Sequence, residues 1–432
     1  MNFYNLKHKE EKISFKEATI KGQGKDKGLF FPEKVPAFSP EFLENLTNLS
    51  DDEIAYQCMK DFIGDEMPEE ILRKICTETI SFEIPIKKVN DNISVLELFH
   101  GPTLAFKDVG ARFMSRSLSY FLKDETRNVT VLVATSGDTG GAVANGFYGL
   151  EGVEVVILYP KNRVSPVQEK QLTALGKNIH ALEVDGSFDD CQRLVKEAFS
   201  DEEINKKLLL TSANSINIAR WLPQQIYYVL ALKQWLKTQK QKPVICVPSG
   251  NFGNICAGIL AFQRGLPVEH FIAACNVNDV VPKYLKTQKL HPKETISTLS
   301  NAMDVGDPSN FVRVLELFQQ EYNQVKEMLS GYTVTDGETL ETIERVEVED
   351  GYTLDPHGAV AYWGLEKYLA ENGGKGFFLE TAHPVKFPEA IEKATGKYPE
   401  IPESLAELMK QKKVTTEITS HFDALKTFLL SH

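Results

Sequence analysis

The chain has 432 residues, of which 42% are hydrophobic, and its formal net charge is −12 at pH 7. This length predicts a large buried core divided between two or three domains, and the negative charge argues against a nucleic-acid-binding protein, which would need a basic face. The sequence contains no uninterrupted run of about 18 apolar residues and begins without the apolar stretch of a signal peptide, so we predict a cytoplasmic protein with no membrane partner.

The first part of the chain predicts a separate N-terminal unit, residues 1–92, that is mostly helical. Apolar residues recur at helical spacing in residues 40–46 and 70–76, and polar breaks separate the helical segments.

From residue 93 onward, short β-rich apolar runs alternate with amphipathic segments. Residues 153–158 precede residues 165–172 in this way, and residues 179–184 precede residues 190–195. Such alternation is typical of βαβ units on a parallel sheet.

A lysine stands out at the end of residues 97–108. An apolar run leads into a turn at Gly101 and Pro102, and Lys107 follows directly after the aromatic Phe106. A partly desolvated pocket lowers the pKa of an ammonium group and leaves the amine free to attack a carbonyl, so this setting suits a Schiff-base lysine. For one lysine considered alone, a solvated loop position is the more common situation.

Two glycine-rich loops accompany this lysine. Residues 129–134 and 243–248 are apolar and β-rich, and each run leads into a glycine loop, residues 135–141 and 249–254, that opens a helical pattern. Glycines let the backbone approach a ligand closely, and the free N–H groups at a helix start can bind phosphate. Neither loop has the pattern of an ATP or dinucleotide motif, so the remaining candidate ligand for these loops is a small phosphate group.

Residues 216–235 show a long helical pattern, and Pro243 follows it. We interpret this segment as the crossing between a first lobe, residues 93–240, and a second lobe, residues 241–432. The predicted fold class is therefore α/β, with two doubly wound α/β lobes and the N-terminal unit.

The cysteines predict neither disulfides nor a metal site. No two of them form a C-x-x-C pair, and most lie within apolar patterns, so we expect buried free thiols at Cys58, Cys76, Cys191, Cys246, Cys256 and Cys275.

Several motifs, in order and at matching spacing, resemble one family over nearly the whole chain. They are residues 28–32, the lysine motif at 97–108, the two glycine loops, and residues 212–220, 301–306, 355–357 and 381–387. With these motifs the chain resembles the threonine synthases, which are pyridoxal-phosphate enzymes of the tryptophan synthase β superfamily (fold type II). It is most similar to the longer form found in enteric bacteria and fungi.

The resemblance implies pyridoxal 5′-phosphate as the cofactor, held by Lys107 through a Schiff base. Lys107 would afterwards act as the base that moves protons between Cα, the cofactor carbon C4′ and Cβ. Thr381 matches the residue whose hydroxyl meets the pyridine nitrogen. The backbone of the second loop would cradle the cofactor phosphate through Gly250, Asn251, Phe252, Gly253 and Asn254.

The resemblance also implies a site for the phosphate of the substrate. Arg220 is the predicted centre of this site, since an arginine can hold a phosphate with two parallel N–H donors. Its predicted companions are Ser136, Thr139, Asn214 and Ser215.

Asp138 lies where much of the superfamily has an asparagine near the phenolic oxygen of the cofactor. A carboxylate there would repel a phenolate unless the two share a proton, so we hypothesise that Asp138 holds a proton. A helix N-cap role is an equal alternative.

The other basic and histidine residues near these motifs receive no catalytic assignment. For Lys386, Lys161 and Arg163 an ordinary surface role is the stronger expectation. His100 and His357 are compatible with either an anion contact or a structural hydrogen bond.

The reaction implied by the resemblance converts O-phospho-L-homoserine and water into L-threonine and inorganic phosphate, by γ-elimination and addition of water at Cβ. One alternative is a threonine or serine dehydratase-like lyase on the same fold, which would have no substrate phosphate to hold. Another is a catalytically idle relative that binds a phosphorylated amino acid. The chain is expected to be a monomer or a homodimer.

Overall fold

The chain forms an N-terminal unit and two lobes. Each of the two lobes is built on a largely parallel sheet. A computed structural model describes residues 1–123 and 129–431. No helix within these ranges combines the length and the apolar character needed to cross a bilayer.

The N-terminal unit combines a small sheet with helices. Its strands are antiparallel and lie in the order β2-β1-β3, and its helices cover the segments predicted from helical spacing. The elements are β1 (Phe3–Asn5), β2 (Lys12–Ile13), α1 (Phe15–Lys21), β3 (Phe30–Pro32), α2 (Pro40–Glu44), α3 (Asp51–Ile63) and α4 (Glu69–Thr79).

The next part of the chain alternates between strands and helices, as predicted. Its elements are β4 (Ile86–Lys88), β5 (Ile93–Glu97), α5 (Lys107–Phe121), β6 (Val129–Ala134), α6 (Asp138–Phe147), β7 (Val153–Pro160), α7 (Pro166–Thr173), β8 (Ile179–Asp185), α8 (Phe188–Ser200), α9 (Glu202–Lys207) and β9 (Leu209–Thr211).

The remaining elements build the second lobe and return to the first. They are α10 (Ile218–Trp221), α11 (Gln225–Thr238), β10 (Val244–Pro248), α12 (Gly253–Gln263), β11 (His270–Cys275), α13 (Val280–Thr287), α14 (Phe311–Leu317), α15 (Tyr322–Met328), β12 (Leu329–Thr333), α16 (Asp336–Asp350), α17 (Pro356–Asn372), β13 (Gly376–Glu380), α18 (Pro388–Thr395), α19 (Glu403–Lys410), β14 (Thr416–Thr419) and α20 (Phe422–Ser431).

Two larger sheets carry the lobes. The five-stranded sheet is parallel and has the order β14-β8-β7-β6-β9. The six-stranded sheet has the order β12-β11-β10-β13-β5-β4, and β4 joins it antiparallel while its other strands are parallel. Both are covered by helices, so central strands such as β6, β10 and β13 are buried on two faces, whereas the edge strands β4 and β14 are largely exposed.

Sheet membership crosses the predicted limits at three strands. β4 lies in the predicted N-terminal unit but pairs with β5 in the six-stranded sheet. β5 lies in the predicted first lobe but pairs with β13 in the six-stranded sheet. β14 lies in the predicted second lobe but pairs with β8 in the five-stranded sheet. Limits at 93–240 and 241–432 follow chain order, whereas strand pairing depends on contacts between distant segments.

The helical pattern predicted over residues 216–235 is confirmed, with one interruption. The structure has the short helix α10, a 3-10 turn at Leu222–Gln224 and then α11. Pro223 explains the interruption, because proline has no backbone N–H to donate and its ring crowds the preceding turn. All six cysteines are buried free thiols, as predicted.

A buried arginine docks the N-terminal unit on the second lobe. Arg264 follows α12 and its side chain is 0% exposed. Its guanidinium donates to the backbone oxygens of Pro36 (2.9 Å) and Cys58 (2.6 Å) and to the carboxylate of Asp61 (3.0 Å). It also lies 3.9 Å from the centre of the Phe38 ring. The N-terminal unit is therefore tied to α12 by directional bonds as well as apolar packing.

We predict that Arg264→Met destabilises the protein by about 3–5 kcal/mol, because buried acceptors lose their donor and Asp61 loses its ion-pair partner. The apparent melting temperature measures this. Arg345→Met is the matched control, since Arg345 forms a bidentate pair with Glu366 at 2.9 and 2.8 Å but on the surface. Its loss should cost about 1 kcal/mol or less. Equal melting temperatures for the two variants would contradict the docking role.

Candidate active site

The carboxyl ends of strands from both large sheets face one cavity of about 1190 Å³. This is the position at which open parallel sheets bind ligands. Every site residue predicted from the sequence lines it: Lys107, Ser136, Asp138, Thr139, Asn214, Ser215, Arg220, Gly250, Asn251, Phe252, Gly253, Asn254 and Thr381. The fold thus brings the predicted set together, while the role of each residue remains a prediction.

Lys107 is the first residue of α5 and is held by pairing between the loop before it and the end of β13. Ala105 forms an antiparallel bridge with Ala382, and the Phe106 N–H donates to the Thr381 carbonyl at 2.9 Å. The lysine Nζ lies 4.7 Å from the centre of the Phe106 ring. Backbone pairing therefore fixes Lys107 relative to Thr381 across the cavity.

The environment of Lys107 favours the neutral amine. Burial lowers the pKa of Lys107 below its ordinary value, and the nearby charges of Lys386 and Arg220 act in the same direction. The Asp138 carboxylate, 3.7 Å from Nζ, opposes this shift. A lysine with this balance can serve as a nucleophile and as a base.

The surroundings of Asp138 in this structure favour its ionised form and do not support the hypothesis that it holds a proton. Lys386 Nζ lies 2.7 Å from its Oδ1, and Gln168 donates to the same oxygen at 2.9 Å. Burial opposes ionisation of Asp138, but the charges of Lys386 and Lys107 outweigh it and hold the pKa of Asp138 below its ordinary value.

The alternative N-cap role for Asp138 is wrong. The N-cap position of α6 is Gly137, and Asp138 is the first residue of the helix. The Thr135 hydroxyl accepts the N–H groups of Gly137 and Gly140, both at 2.9 Å. Thr135 thus satisfies the start of the helix and leaves the carboxylate of Asp138 for the two lysines.

Lys386 is the site residue that sequence reasoning missed. It was expected on the surface, yet its side chain is 0% exposed and its Nζ also donates to the Thr103 carbonyl at 2.8 Å. Lys161 fits the surface expectation, since it is partly exposed and pairs with Glu417 at 2.7 Å. The only signal for Lys386 was its place in the motif at residues 381–387, five residues after Thr381.

The second glycine loop forms a cradle with an unused donor. Phe252 adopts a left-handed conformation (φ 62°) directly before α12, and a Cβ at Gly250 would meet the Met303 backbone at 2.6 Å. Asn254 accepts the hydroxyls of Tyr227 and Tyr228 with its Oδ1, whereas its buried Nδ2 has no partner in the described structure. A phosphate group would supply the missing acceptor.

Arg220 provides a second unused donor. It is 4% exposed, its Nη1 donates to the Ala213 carbonyl, and its buried Nε has no partner in the described structure. No carboxylate in residues 1–123 or 129–431 forms an ion pair with it. Burial lowers the pKa of Arg220 to about 10, so it stays charged at neutral pH. A buried cation without a counter-ion makes this part of the cavity suited to an anion.

The end of β13 places Thr381 next to a buried acid. Burial, followed by the charge of Asp355, raises the pKa of Glu380 well above its ordinary value, which favours the neutral form of this carboxyl group. Asp355 instead accepts from His357 Nδ1 at 2.6 Å, and His357 Nε2 accepts the Ala302 N–H at 3.2 Å. His357 therefore supports the wall of the cavity by structural hydrogen bonds.

His100 lies apart from the cavity lining. Its Nε2 is 2.7 Å from Glu97 Oε2, and Lys87 lies 2.8 Å from the same oxygen. Like His357, His100 therefore forms a structural hydrogen bond.

Comparisons with known proteins agree with this arrangement. Residues 77–377 match the family described as pyridoxal-phosphate dependent enzyme. Residues 2–80 match the family described as threonine synthase N terminus, and residues 358–429 match threonine synthase, C-terminal.

Individual relatives match over the full chain. A threonine synthase of Escherichia coli K12 is 47% identical over 432 residues, with 100% of both chains covered. The crystal structure of threonine synthase from Escherichia coli superposes with a TM-score of 0.93 at 46% identity, again covering 100% of both chains. The PLP-bound threonine synthase from Brucella melitensis also gives 0.93, at 35% identity and with 100% of this chain and 99% of that chain covered.

We predict that Asp138→Asn lowers the pH at which the visible absorption band of the bound cofactor changes, by roughly one to three units. The reason is that an ionised Asp138 stabilises positive charge on Lys107 Nζ. Spectrophotometric titration of the cofactor-loaded protein measures the shift. Gln168→Met removes a neutral hydrogen bond to the same carboxylate and should move the midpoint much less. An unmoved or raised midpoint in Asp138→Asn would show that Asp138 is not a charged neighbour.

Proposed function

The chain belongs to the threonine synthase family of pyridoxal-phosphate-dependent enzymes, and on that premise we propose how its cavity converts O-phospho-L-homoserine and water into L-threonine and inorganic phosphate. The enzyme is a carbon–oxygen lyase that acts on a phosphate ester and takes pyridoxal 5′-phosphate as its cofactor. One observation carries the assignment of the cavity: the buried guanidinium of Arg220 has an unused donor and forms no ion pair with the described residues, beside the buried amine of Lys107.

The residues present fit the cofactor. The unpartnered Nδ2 of Asn254 and the start of α12 at Gly253 offer donors to its phosphate, and the close approach of Gly250 to Met303 leaves no space there for a side chain. Lys107 would hold the cofactor as a Schiff base, and the bound cofactor supplies an electron sink for charge that develops on substrate carbons.

Lys107 is the proposed catalytic base. Lys107 would hold the cofactor until the substrate amine replaces it, and its freed Nζ would then carry protons to and from the substrate carbons Cα and Cβ. A free amine is needed for this task, and the burial that lowers the pKa of Lys107 favours it. The neighbouring charges act on Lys107 in opposite directions: Asp138 raises its pKa, whereas Lys386 lowers it.

The substrate phosphate would lie against Arg220 and its neighbours. Ser136 borders the cavity from the loop after β6 and Thr139 from the first turn of α6, while Asn214 and Ser215 border it from the loop after β9. These donors bind the ester before cleavage and the phosphate after it, which favours its departure from Cγ.

Thr381 would meet the pyridine nitrogen with a neutral hydroxyl. An ionised carboxylate at this point would stabilise a pyridinium, but burial and the charge of Asp355 favour the neutral form of the neighbouring Glu380. The ring should therefore withdraw electrons less strongly than one paired with a carboxylate, which suits elimination and replacement.

A dehydratase-like enzyme has no substrate phosphate for Arg220 to bind, which disfavours that alternative. A catalytically idle binding protein would not need the buried amine of Lys107. A monomeric or homodimeric state and a cytoplasmic location stay predictions of ours.

We expect the purified, cofactor-loaded protein to release inorganic phosphate from O-phospho-L-homoserine and to form threonine in equal amounts. Lys107→Ala should abolish both products and the visible band of the bound cofactor, because the Schiff base cannot form. Phosphate and amino-acid assays on the same sample measure this. A visible band with no phosphate release would reject the proposed substrate and leave the cofactor assignment intact.

We also expect Arg220→Met to raise the KM for O-phospho-L-homoserine by about 30-fold or more, because the phosphate loses a buried charged donor. Arg220→Lys keeps the charge but loses the planar pair of donors, so its KM should lie between those of the wild type and Arg220→Met. Steady-state kinetics measure both. Arg116→Met removes the same charge from the far side of α5, where Arg116 pairs with Glu78 at 2.5 Å, and should leave KM unchanged. An unaltered KM in Arg220→Met would remove Arg220 from the phosphate site.

A further inference from the structure

The hydroxyl group of Ser215 receives two hydrogen bonds from the protein. Asn251 Nδ2 donates to Ser215 Oγ at 2.9 Å, and Asn310 Nδ2 donates to the same atom at 3.1 Å. Asn251 belongs to the second glycine loop, whereas Asn310 is fully buried and directly precedes α14. Three distant segments of the chain therefore meet at this hydroxyl.

Neither amide can be turned round. Asn251 Oδ1 accepts the backbone N–H of Ser309 at 2.8 Å, and Asn310 Oδ1 accepts Arg313 Nη1 at 2.8 Å. A backbone N–H and a guanidinium can only donate, so the oxygen of each amide must face them. The NH₂ group of each amide must then face Ser215.

A serine hydroxyl has two lone pairs and one proton. The two amides occupy both lone pairs of Ser215, so its proton is left to be donated. Ser215 borders the cavity, and both of its partners in the described structure are donors. The hydroxyl proton is therefore available to a ligand in the cavity that can accept it.

We propose that Asn310 is a positioning residue that makes Ser215 an obligatory donor to the substrate phosphate. This rests on the proposed function. Asn310 carried no signal in the sequence, because its role depends on where Arg313 and Ser215 meet it in the fold. Since the polarity of the hydroxyl is set before the ligand arrives, binding needs no reorientation of Ser215.

Arg313 gives this arrangement a rigid base. Its side chain is 0% exposed, and its guanidinium donates to the carbonyls of Phe30 (2.9 Å), Ile216 (2.7 Å) and Ser215 (3.3 Å) as well as to Asn310. The same guanidinium thus holds the backbone of Ser215 and the amide that orients its hydroxyl. Through Phe30 it connects both to the N-terminal unit.

A fixed donor also discriminates between ligands. A phosphate ester offers this donor several acceptor oxygens and two negative charges, whereas an unphosphorylated hydroxyl group offers one uncharged acceptor. The fixed donor therefore favours the phosphorylated amino acid over its free alcohol.

The test is a double-mutant cycle between Asn310→Asp and Ser215→Ala. Aspartate has nearly the shape of asparagine but presents an acceptor, so Ser215 would donate its proton to residue 310 and leave none for the ligand. We expect each single variant to weaken binding of inorganic phosphate to the cofactor-loaded protein by about tenfold, as measured by calorimetry. In the Ser215→Ala background, Asn310→Asp should cause less than about a threefold further loss.

The Ser215→Ala background is the control for the added negative charge. A purely electrostatic effect of aspartate would persist without the hydroxyl, so losses that multiply in the double variant would overturn the proposal. Unchanged phosphate affinity in Asn310→Asp would overturn it as well. The KM for O-phospho-L-homoserine should rise with the phosphate Kd, while kcat and the visible band of the cofactor stay near those of the wild type, which a general structural defect would not reproduce.

Asn310→Leu keeps the test decisive if the aspartate variant does not fold. Leucine removes one donor without adding an acceptor, so an intermediate loss of phosphate affinity is expected, again absent in the Ser215→Ala background. The proposed function fails separately: a wild-type protein that neither binds phosphate nor releases it from O-phospho-L-homoserine would overturn both, whereas an active wild type with an unaffected Asn310→Asp would overturn the role of Asn310 alone.

Discussion

The buried ion pair between Asp138 and Lys386 is the interaction around which the active site is organised. Asp138 begins a helix of the five-stranded sheet, and Lys386 follows the last strand of the six-stranded sheet, so the pair joins the two lobes across the cavity. Removing either partner would leave a buried charge uncompensated. The same carboxylate is 3.7 Å from Lys107 Nζ, so the ion pair that joins the lobes also influences the charge of the lysine proposed to hold the cofactor.

Several basic side chains lie in or behind the wall of the cavity, although the protein as a whole carries a net charge of −12. Lys107, Lys386, Arg220 and Arg313 are all buried around it, and Asp138 is the acid that faces the two lysines. Arg313 is satisfied by carbonyls and an amide, whereas Arg220 keeps a donor in reserve. Arg313 therefore stabilises the fold, whereas Arg220 has a donor free to bind an anion.

Local sequence was sufficient for the parts of the site that lie within single motifs. Lys107 after Phe106, and the glycine loops after apolar runs, could be recognised because strand, loop and helix are contiguous there. Lys386 and Asn310 could not, because their partners are brought to them by folding from more than 90 residues away. The preference of Asp138 for its ionised form escaped prediction for the same reason, since it depends on Lys386. The predicted strand membership was wrong at β4, β5 and β14, because their pairing does not follow the predicted limits along the chain.

The crossing of β14 into the first lobe constrains the order in which the protein can be assembled during synthesis. Residues 129–211 supply four strands of that sheet, but the edge of β8 stays open until residues 416–419 emerge from the ribosome. For most of translation the nascent chain therefore presents an unpaired strand edge, which is the kind of surface that invites wrong pairing. A truncation that removes the last twenty residues would spare every residue of the active site and still leave the first lobe without its outer strand.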